Sequence, residues 1–322
     1  MARLPELDYL AEADFIAATT REIVHGQLKR RGLVISMSGG IDSSVCAALA
    51  VRAVGAARVL GLLQPEKDSS GTSRQLAEQL ANHLGIRFVV HDLAPTLEAI
   101  GCYRTQQEVL QATVPGFGTG WKFKLAISET MGGQLAITKV VAESPAGETS
   151  EHRLRAADYL KLIAATNFKQ RLRKVMDYFH ADANNYAVVG TPNRLEYDQG
   201  FFVKLGDGSA DVKPIAHLYK TQVYDMARAL GLPSEITSTT PTTDTFSLPQ
   251  GQDEFYFGLP YPQMDLAVHH LNLGLPATEL AQTIGCTPTA AEAVYAGIHA
   301  KRRTTAYLHT QAILVRPVPE VA

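Results

Sequence analysis

The sequence predicts an α/β fold: an open parallel sheet covered by helices on both faces, with an inserted β-hairpin and a helical C-terminal segment. Three observations predict it. Short apolar runs alternate with helix-length amphipathic stretches from Leu33 to Asp92. The alternation lapses between Tyr103 and Arg155, where strand-like runs flank a glycine turn. From Pro276 to Arg303 the spacing is helical, with no strand between.

Taken in order, Leu7 to Lys29 has helical periodicity and closes on Lys29-Arg30-Arg31-Gly32, where cations suit the carbonyl end of a helix and glycine stops it. Leu33–Met37 (LVISM) reads as a buried strand, broken by Ser38-Gly39-Gly40. Asp42–Val54 reads as a helix ending at Gly55, Val59–Leu63 as a second strand, Thr72–Leu84 as a helix closed by Gly85, and Arg87–Asp92 as a third strand. Lys161–Ala183 suits a long helix, Tyr186–Gly190 a fourth strand, and Thr221–Leu230 a helix stopped by Gly231 and Pro233. Strands alternating with helices build a parallel sheet, whose ligands bind at the carboxyl ends of the strands. Trp121–Ser128 and Leu135–Glu143 form the expected hairpin around Met131-Gly132-Gly133-Gln134. Residues 1–275 are therefore read as one domain carrying an insertion at about 103–155, with 276–322 a helical segment packed on it.

The chain has 322 residues, 46% hydrophobic and 19% charged, with a net charge of −2. This is a globular composition, and the charge excludes a chain that binds nucleic acid or a membrane surface over its whole face. A polyanion must be held by a local group of cations. Cys46, Cys102 and Cys286 are far apart, without metal-ligand spacing or a disulfide framework, which fits a reducing compartment. Acids early in MARLPELDYLAEADF leave no signal-peptide core, and no apolar run is long enough to span a bilayer, so a cytoplasmic location is expected.

The string that carries chemistry is Ser38-Gly39-Gly40-Ile41-Asp42-Ser43-Ser44. It follows a strand and opens a helix, the context in which glycines let backbone N–H groups and serine hydroxyls approach phosphate oxygens. Asp42 can hold a cation that offsets the phosphate charge. No G-K-[ST] follows, so this is not the lysine-bearing phosphate loop. It resembles instead the S-G-G-x-D-S signature of the ATP pyrophosphatases, which cleave ATP between the α- and β-phosphates.

Later strings resemble those of the NAD synthetases. Asn167-Phe168-Lys169-Gln170-Arg171-Leu172-Arg173 resembles N-x-K-x-R-x-R, and Gly190-Thr191-Pro192-Asn193-Arg194-Leu195-Glu196 resembles G-T-x-N-x-x-E. Gly200–Pro214 (GFFVKLGDGSADVKP) follows the family pattern with Val203 in place of threonine, and Leu218–Val223, Pro241-Thr242 and Gln252-Asp253-Glu254, then Gly258, Tyr261 and Asp265, continue it. The resemblance implies that Ser36, Ser38, Gly39, Gly40 and Ser43 hold ATP phosphates, that Asp42 and Glu196 bind magnesium, and that Thr191, Lys220 and Thr242 contact ATP. It makes Asp42, Glu196 and Lys220 the catalytic set, and assigns Arg171, Lys204, Asp211 and Lys301 to deamido-NAD. The implied reaction joins deamido-NAD and ammonia at the expense of ATP, giving NAD, AMP and pyrophosphate. The implied assembly is a homodimer, fed by free ammonia or by a separate glutaminase.

Two departures stand out. Cys102–Arg155 is longer than the family pattern, and its hairpin either covers the active site or changes the acceptor. In His299-Ala300-Lys301-Arg302-Arg303, alanine stands where the family's histidine aligns. Each candidate also has a plainer reading: Glu196 and Asp211 as surface acids, Lys220 as a helix-start cation, His269-His270 as a helix face, Gly116–Gly120 as a loop. One alternative is a related synthetase that amidates another carboxylate. A second, from the helix-turn-helix cadence of Thr278–Arg303, is a DNA-binding module, which salt-sensitive duplex binding would support.

Overall fold

A computed structural model describes residues 3–127, 138–238, 246–248, 250–251 and 256–319. The chain opens with α1 (Tyr9–Glu22), capped by Asp8, whose carboxylate accepts from the Leu10 and Ala11 amides. There follow β1 (Leu33–Ser36), α2 (Ile41–Val54), β2 (Val59–Leu63), α3 (Gly71–Leu84), β3 (Arg87–Val90), α4 (Ala94–Ala99) and α5 (Cys102–Thr113). Next come β4 (Lys122–Ile127), β5 (Thr138–Glu143), β6 (Thr149–Arg153), α6 (Ala156–Asn184) and β7 (Ala187–Val188). The chain continues through α7 (Arg194–Gln199), α8 (Lys220–Ala229), α9 (Ser234–Thr237), α10 (Tyr261–Asn272), α11 (Ala277–Ile284) and α12 (Pro288–His309).

The main sheet runs β3-β2-β1-β7, with every pairing parallel. Its strands are apolar on both faces because helices cover both. Leu33, Ile35, Val59 and Leu63 pack with α1, α2 and α8, while the alternate residues Val34, Leu60, Leu62 and Val188 meet Ala181 and Tyr178 of α6. The sheet, α1 and α8 surround α2, so it is apolar almost all round, the pattern of a buried helix.

The insertion holds more than a hairpin. β4, β5 and β6 form an antiparallel sheet in that order. Sequence reading misses β6 because TSEHR has no apolar alternation; its register comes from pairing with β5, Lys139 opposite Arg153. The expected turn at Met131–Gln134 lies outside the described residues. Phe123, Leu125, Val140 and Ala142 form a small core with Val109 and Leu110 of α5 and Leu162 of α6. α5 is itself a helix inside the stretch read as insertion. α10, α11 and α12 share a further core through Met264, Val268, Leu280, Ala291 and Ile298.

α6 carries a buried charge cluster. Lys169 is 1% exposed, and its Nζ donates to Glu66 Oε1 at 3.2 Å and Asp68 Oδ2 at 2.5 Å. The Tyr103 hydroxyl donates to the other Glu66 oxygen at 2.7 Å. Removing one partner of a buried pair leaves an uncompensated charge, a cost of roughly 3–5 kcal/mol. Lys169→Met should therefore lower unfolding stability by that order in a urea titration, and Lys169→Met with Glu66→Gln should recover part of it. An unchanged midpoint in the single variant would show the cluster to be solvated.

Candidate active site

The glycine loop sits at the carboxyl end of β1, where a parallel sheet offers its ligand crevice. Gly39 has φ +78°, and a Cβ there would lie 2.4 Å from the Ser73 carbonyl of α3, so a side chain is refused twice over. Gly40 caps α2 without any side-chain bond, which leaves the amides of the first turn facing outward for an anion. Ser43 Oγ donates to the Gly40 carbonyl at 3.0 Å and lies 3.2 Å from Ser38 Oγ, so both hydroxyls stay inside the loop.

Asp42, in the first turn of α2, is the meeting point. One carboxylate oxygen pairs with Lys220 Nζ and the other accepts from Asn193 Nδ2 at 3.0 Å. Lys220 is the first residue of α8 and fully buried, with its ammonium 5.2 Å from the centre of the Tyr261 ring. Burial alone pulls its pKa down, but Asp42 and Glu196 outweigh this and hold the ammonium above its ordinary value. Asn193 caps α7 in a reciprocal box: its Oδ1 accepts from the Leu195 and Glu196 amides, and Glu196 Oε2 accepts from the Asn193 amide at 3.0 Å. Burial, reinforced by the charge of Asp42, pushes the Glu196 carboxyl well above the usual carboxylate range. Two carboxylates thus converge on a single lysine, and hard oxygen donors short of positive charge suit a divalent cation shared with phosphate oxygens. Among the described residues, no group of three or more His, Cys, Asp or Glu could hold a metal by itself.

The structure brings Ser38, Gly39, Gly40, Asp42, Ser43, Glu196 and Lys220 to one place. Ser36 ends β1 beside them, but its hydroxyl donates to Asp177 of α6 at 2.6 Å. Thr191 lies three residues beyond the end of β7, and Thr242 and Gln252-Asp253-Glu254 lie outside the described residues. The residues read as acceptor ligands are more scattered. Arg171 Nε donates to the Lys204 carbonyl at 3.2 Å, while Lys204 Nζ donates to the carbonyls of Tyr307 and Thr310 at 3.0 and 2.6 Å, finishing α12. Exposed Asp211 accepts from the Val188 amide at 2.7 Å and so steadies β7. Lys301 donates to the Tyr256 carbonyl at 2.7 Å, and burial pulls its pKa down to about 8. A cavity of about 570 Å³ between α7 and α12, lined by Arg194, Tyr197, Asp198, Ala216, His217, Arg302 and His309, contains none of the predicted ligand residues.

Residue-by-residue reading gave Asn193, Asp177 and Asp265 no role. Asn193 had a usable signal, a cap residue three positions before Glu196. Asp265 falls within the family resemblance, which gave it no role, and Asp177, whose partners Ser36 and Gln64 are far away in sequence, left no signal.

The NAD synthase family model matches residues 14–115 and 127–305. The chain belongs to the NAD synthase family. An NH(3)-dependent NAD(+) synthetase from Mesorhizobium japonicum is 52% identical over 309 residues, covering 96% of this chain and 97% of that one. Among solved structures, an NMN synthetase from Francisella tularensis superposes with a TM-score of 0.66 at 21% identity, over 96% of this chain and 99% of the other. An NH3-dependent NAD synthetase from Campylobacter jejuni does so with a TM-score of 0.63 at 19% identity, over 97% and 100%. At such identities these two likenesses speak for the NAD synthase fold alone. The family match runs through residue 305, so α11 and most of α12 are part of the NAD synthase chain, and the comparisons lend no support to a separate DNA-binding module. Residues 116–126, which carry most of β4, fall outside the match.

Asp265 of α10 secures Lys220 from behind. It is fully buried; its Oδ1 accepts from the Lys220 amide at 3.1 Å, and its Oδ2 from the Thr221 amide and hydroxyl, both at 2.8 Å. Burial outweighs these bonds and raises its pKa to about 6. A carboxyl with a raised folded pKa contributes stability that is fully present below its unfolded value of about 3.9 and lost as pH rises through about 6. Asp265→Asn should flatten the stability–pH curve between those values, by on the order of 3 kcal/mol against the wild type. Parallel curves in denaturant titrations would refute the assignment.

Proposed function

We propose that this chain adenylates the carboxylate of deamido-NAD with ATP and passes the acyl group to ammonia, giving NAD, AMP and pyrophosphate. The observation that carries the reading is the convergence of Asp42, Lys220, Asn193 and Glu196 on the open first turn of α2, directly behind the glycine loop. A carboxylate oxygen of the acceptor attacks the α-phosphorus and the bond to the β-phosphate oxygen breaks, releasing pyrophosphate. Ammonia then attacks the acyl carbon, AMP leaves, and a proton passes to solvent. Both partners of the first step are anions, so the work lies in positioning and charge compensation. The α2 amides and the hydroxyls of Ser38 and Ser43 take phosphate oxygens. The Lys220 ammonium, kept charged by its neighbours, compensates the charge of the ATP phosphates.

Asp42 and Glu196 are the residues that would hold magnesium, which would supply neutralisation of phosphate charge. Ser36, Thr191 and Thr242 complete the ATP side. Arg171, Lys204, Asp211 and Lys301 are assigned to deamido-NAD, with Lys204 and Lys301 released from their carbonyl contacts on binding. The chain acts in the cytoplasm as a homodimer: α6 leaves Phe168, Val175 and Phe179 40%, 61% and 60% exposed along its length, a stripe that a second copy would cover. A monomer by light scattering would remove that assembly.

The test is pyrophosphate release from ATP with ammonium and magnesium, with and without deamido-NAD, and with nicotinic acid mononucleotide as a shorter acceptor. Release that depends on deamido-NAD, with NAD formed, is expected; release only with another carboxylate would transfer the same chemistry to that acceptor. Asp42→Asn and Lys220→Met should each lower the rate by roughly 10²–10³. Near-wild-type rates would sink the cluster's role. Lys204→Ala should raise KM for deamido-NAD more than KM for ATP; equal changes would leave Lys204 as a cap of α12.

A further inference from the structure

β4 is an outer strand of the inserted sheet, and a distant segment lies along its edge. The Leu248 amide donates to the Phe123 carbonyl at 3.0 Å, the Phe123 amide donates to Ser247 Oγ at 2.9 Å, and Gln250 Nε2 donates to the Leu125 carbonyl at 2.8 Å. The Phe246 ring meets Phe123 edge-on at 5.5 Å and is buried with Leu125, Val140 and Leu162. Gln250 is 2% exposed. An unpaired strand edge invites any passing strand, and here the chain fills it with its own backbone and side chains.

What this segment leads to gives the contact its meaning. Before it, Ile236 of α9 is anchored in the core shared by α2 and α8. After it, Tyr256 donates to the Gln199 carbonyl of α7 at 2.8 Å, Tyr261 lies over the Lys220 ammonium, and Asp265 caps the helix that Lys220 begins. Between α9 and α10 no long helix or strand is formed by the described residues. The contacts of Phe246, Ser247, Leu248 and Gln250 with β4 fix this part of the connection in place. The anchor is β4, and residues 116–126 with most of β4 are what the NAD synthase match leaves out.

We propose that the inserted sheet is a clamp: Phe123 and Leu125 of β4 hold Phe246, Ser247 and Gln250, and so fix the span that brings Tyr261 and Asp265 against Lys220. Phe246, Ser247 and Gln250 are positioning residues for the ATP half of the reaction. This rests on the reading of Lys220 as an ATP-side group. It gives the insertion a third role beside the two expected from the sequence, that of support from outside the site.

The experiment compares wild type with Phe246→Ala, Ser247→Ala and Gln250→Leu in the full-length chain, reading KM for ATP and for deamido-NAD, and titrating magnesium-ATP directly by calorimetry. Displacement of the Lys220 supports by a fraction of an ångström should weaken ATP by about tenfold while KM for deamido-NAD stays within about twofold. Phe246→Leu, which refills the apolar pocket, should restore most of the ATP affinity. If Phe246→Ala does not fold, the two polar variants, which leave the apolar core intact, decide the matter. A purely structural insertion would lower the melting temperature and leave ATP affinity unchanged, and that result overturns the clamp; so does an equal loss for both substrates. A wild type that fails to bind ATP would overturn the functional reading as well, whereas a wild type that binds ATP beside unaltered variants overturns the clamp alone.

Discussion

The ion pair between Asp42 and Lys220 is the constraint around which the rest of this molecule is arranged. A fully buried ammonium is tolerated only where its charge and its donors are met. Its partner is in the first turn of α2, the residue itself starts α8, and both helices pack on the same face of the parallel sheet. Asn193 takes the other oxygen of Asp42 and, as the cap of α7, fixes Glu196 beside it. Asp265 ties the start of α8 to α10, and α10 shares a core with α11 and α12. A single desolvated charge therefore recruits four helices, and the glycine loop is left with uncapped amides as the outlet for the remaining field.

The sheet was legible in the sequence because its strands are covered on both sides. LVISM and VLGLL announce themselves as apolar runs, and Gly55 and Gly85 mark helix ends that the structure places at the same residues. β6 was not legible, since its strand character lies in pairing with β5 rather than in its own side chains. α5 was lost in a stretch where the alternation of strand and helix had stopped.

The site divides along the same line. The glycine loop is a local device, so its residues could be named from their order in the chain. The partnership of Asp42 with Lys220 spans 178 positions and was reachable only through likeness to a family. Where a cation is aimed cannot be read from its type: Lys204 and Lys301 both spend their donors on main-chain carbonyls, an arrangement no string of letters contains. Asp211 proved neither free nor idle, since it satisfies an amide at the edge of β7.

α6 has a consequence for how substitutions combine. With 29 residues at about 1.5 Å per residue, it is a rod of roughly 43 Å that carries Leu162 under the inserted sheet, Lys169 in the acid cluster, Arg171 at Lys204, and Asp177 among Ser36, Gln64 and Lys174. Several of these groups share a partner: Ser36, Gln64 and Lys174 all depend on Asp177. Residues that share partners do not contribute independently. Substitutions at Ser36, Gln64, Lys174 and Asp177 should therefore be epistatic, the effect of each depending on which residues occupy the other three, although Ser36 and Gln64 lie far from the other two in the chain.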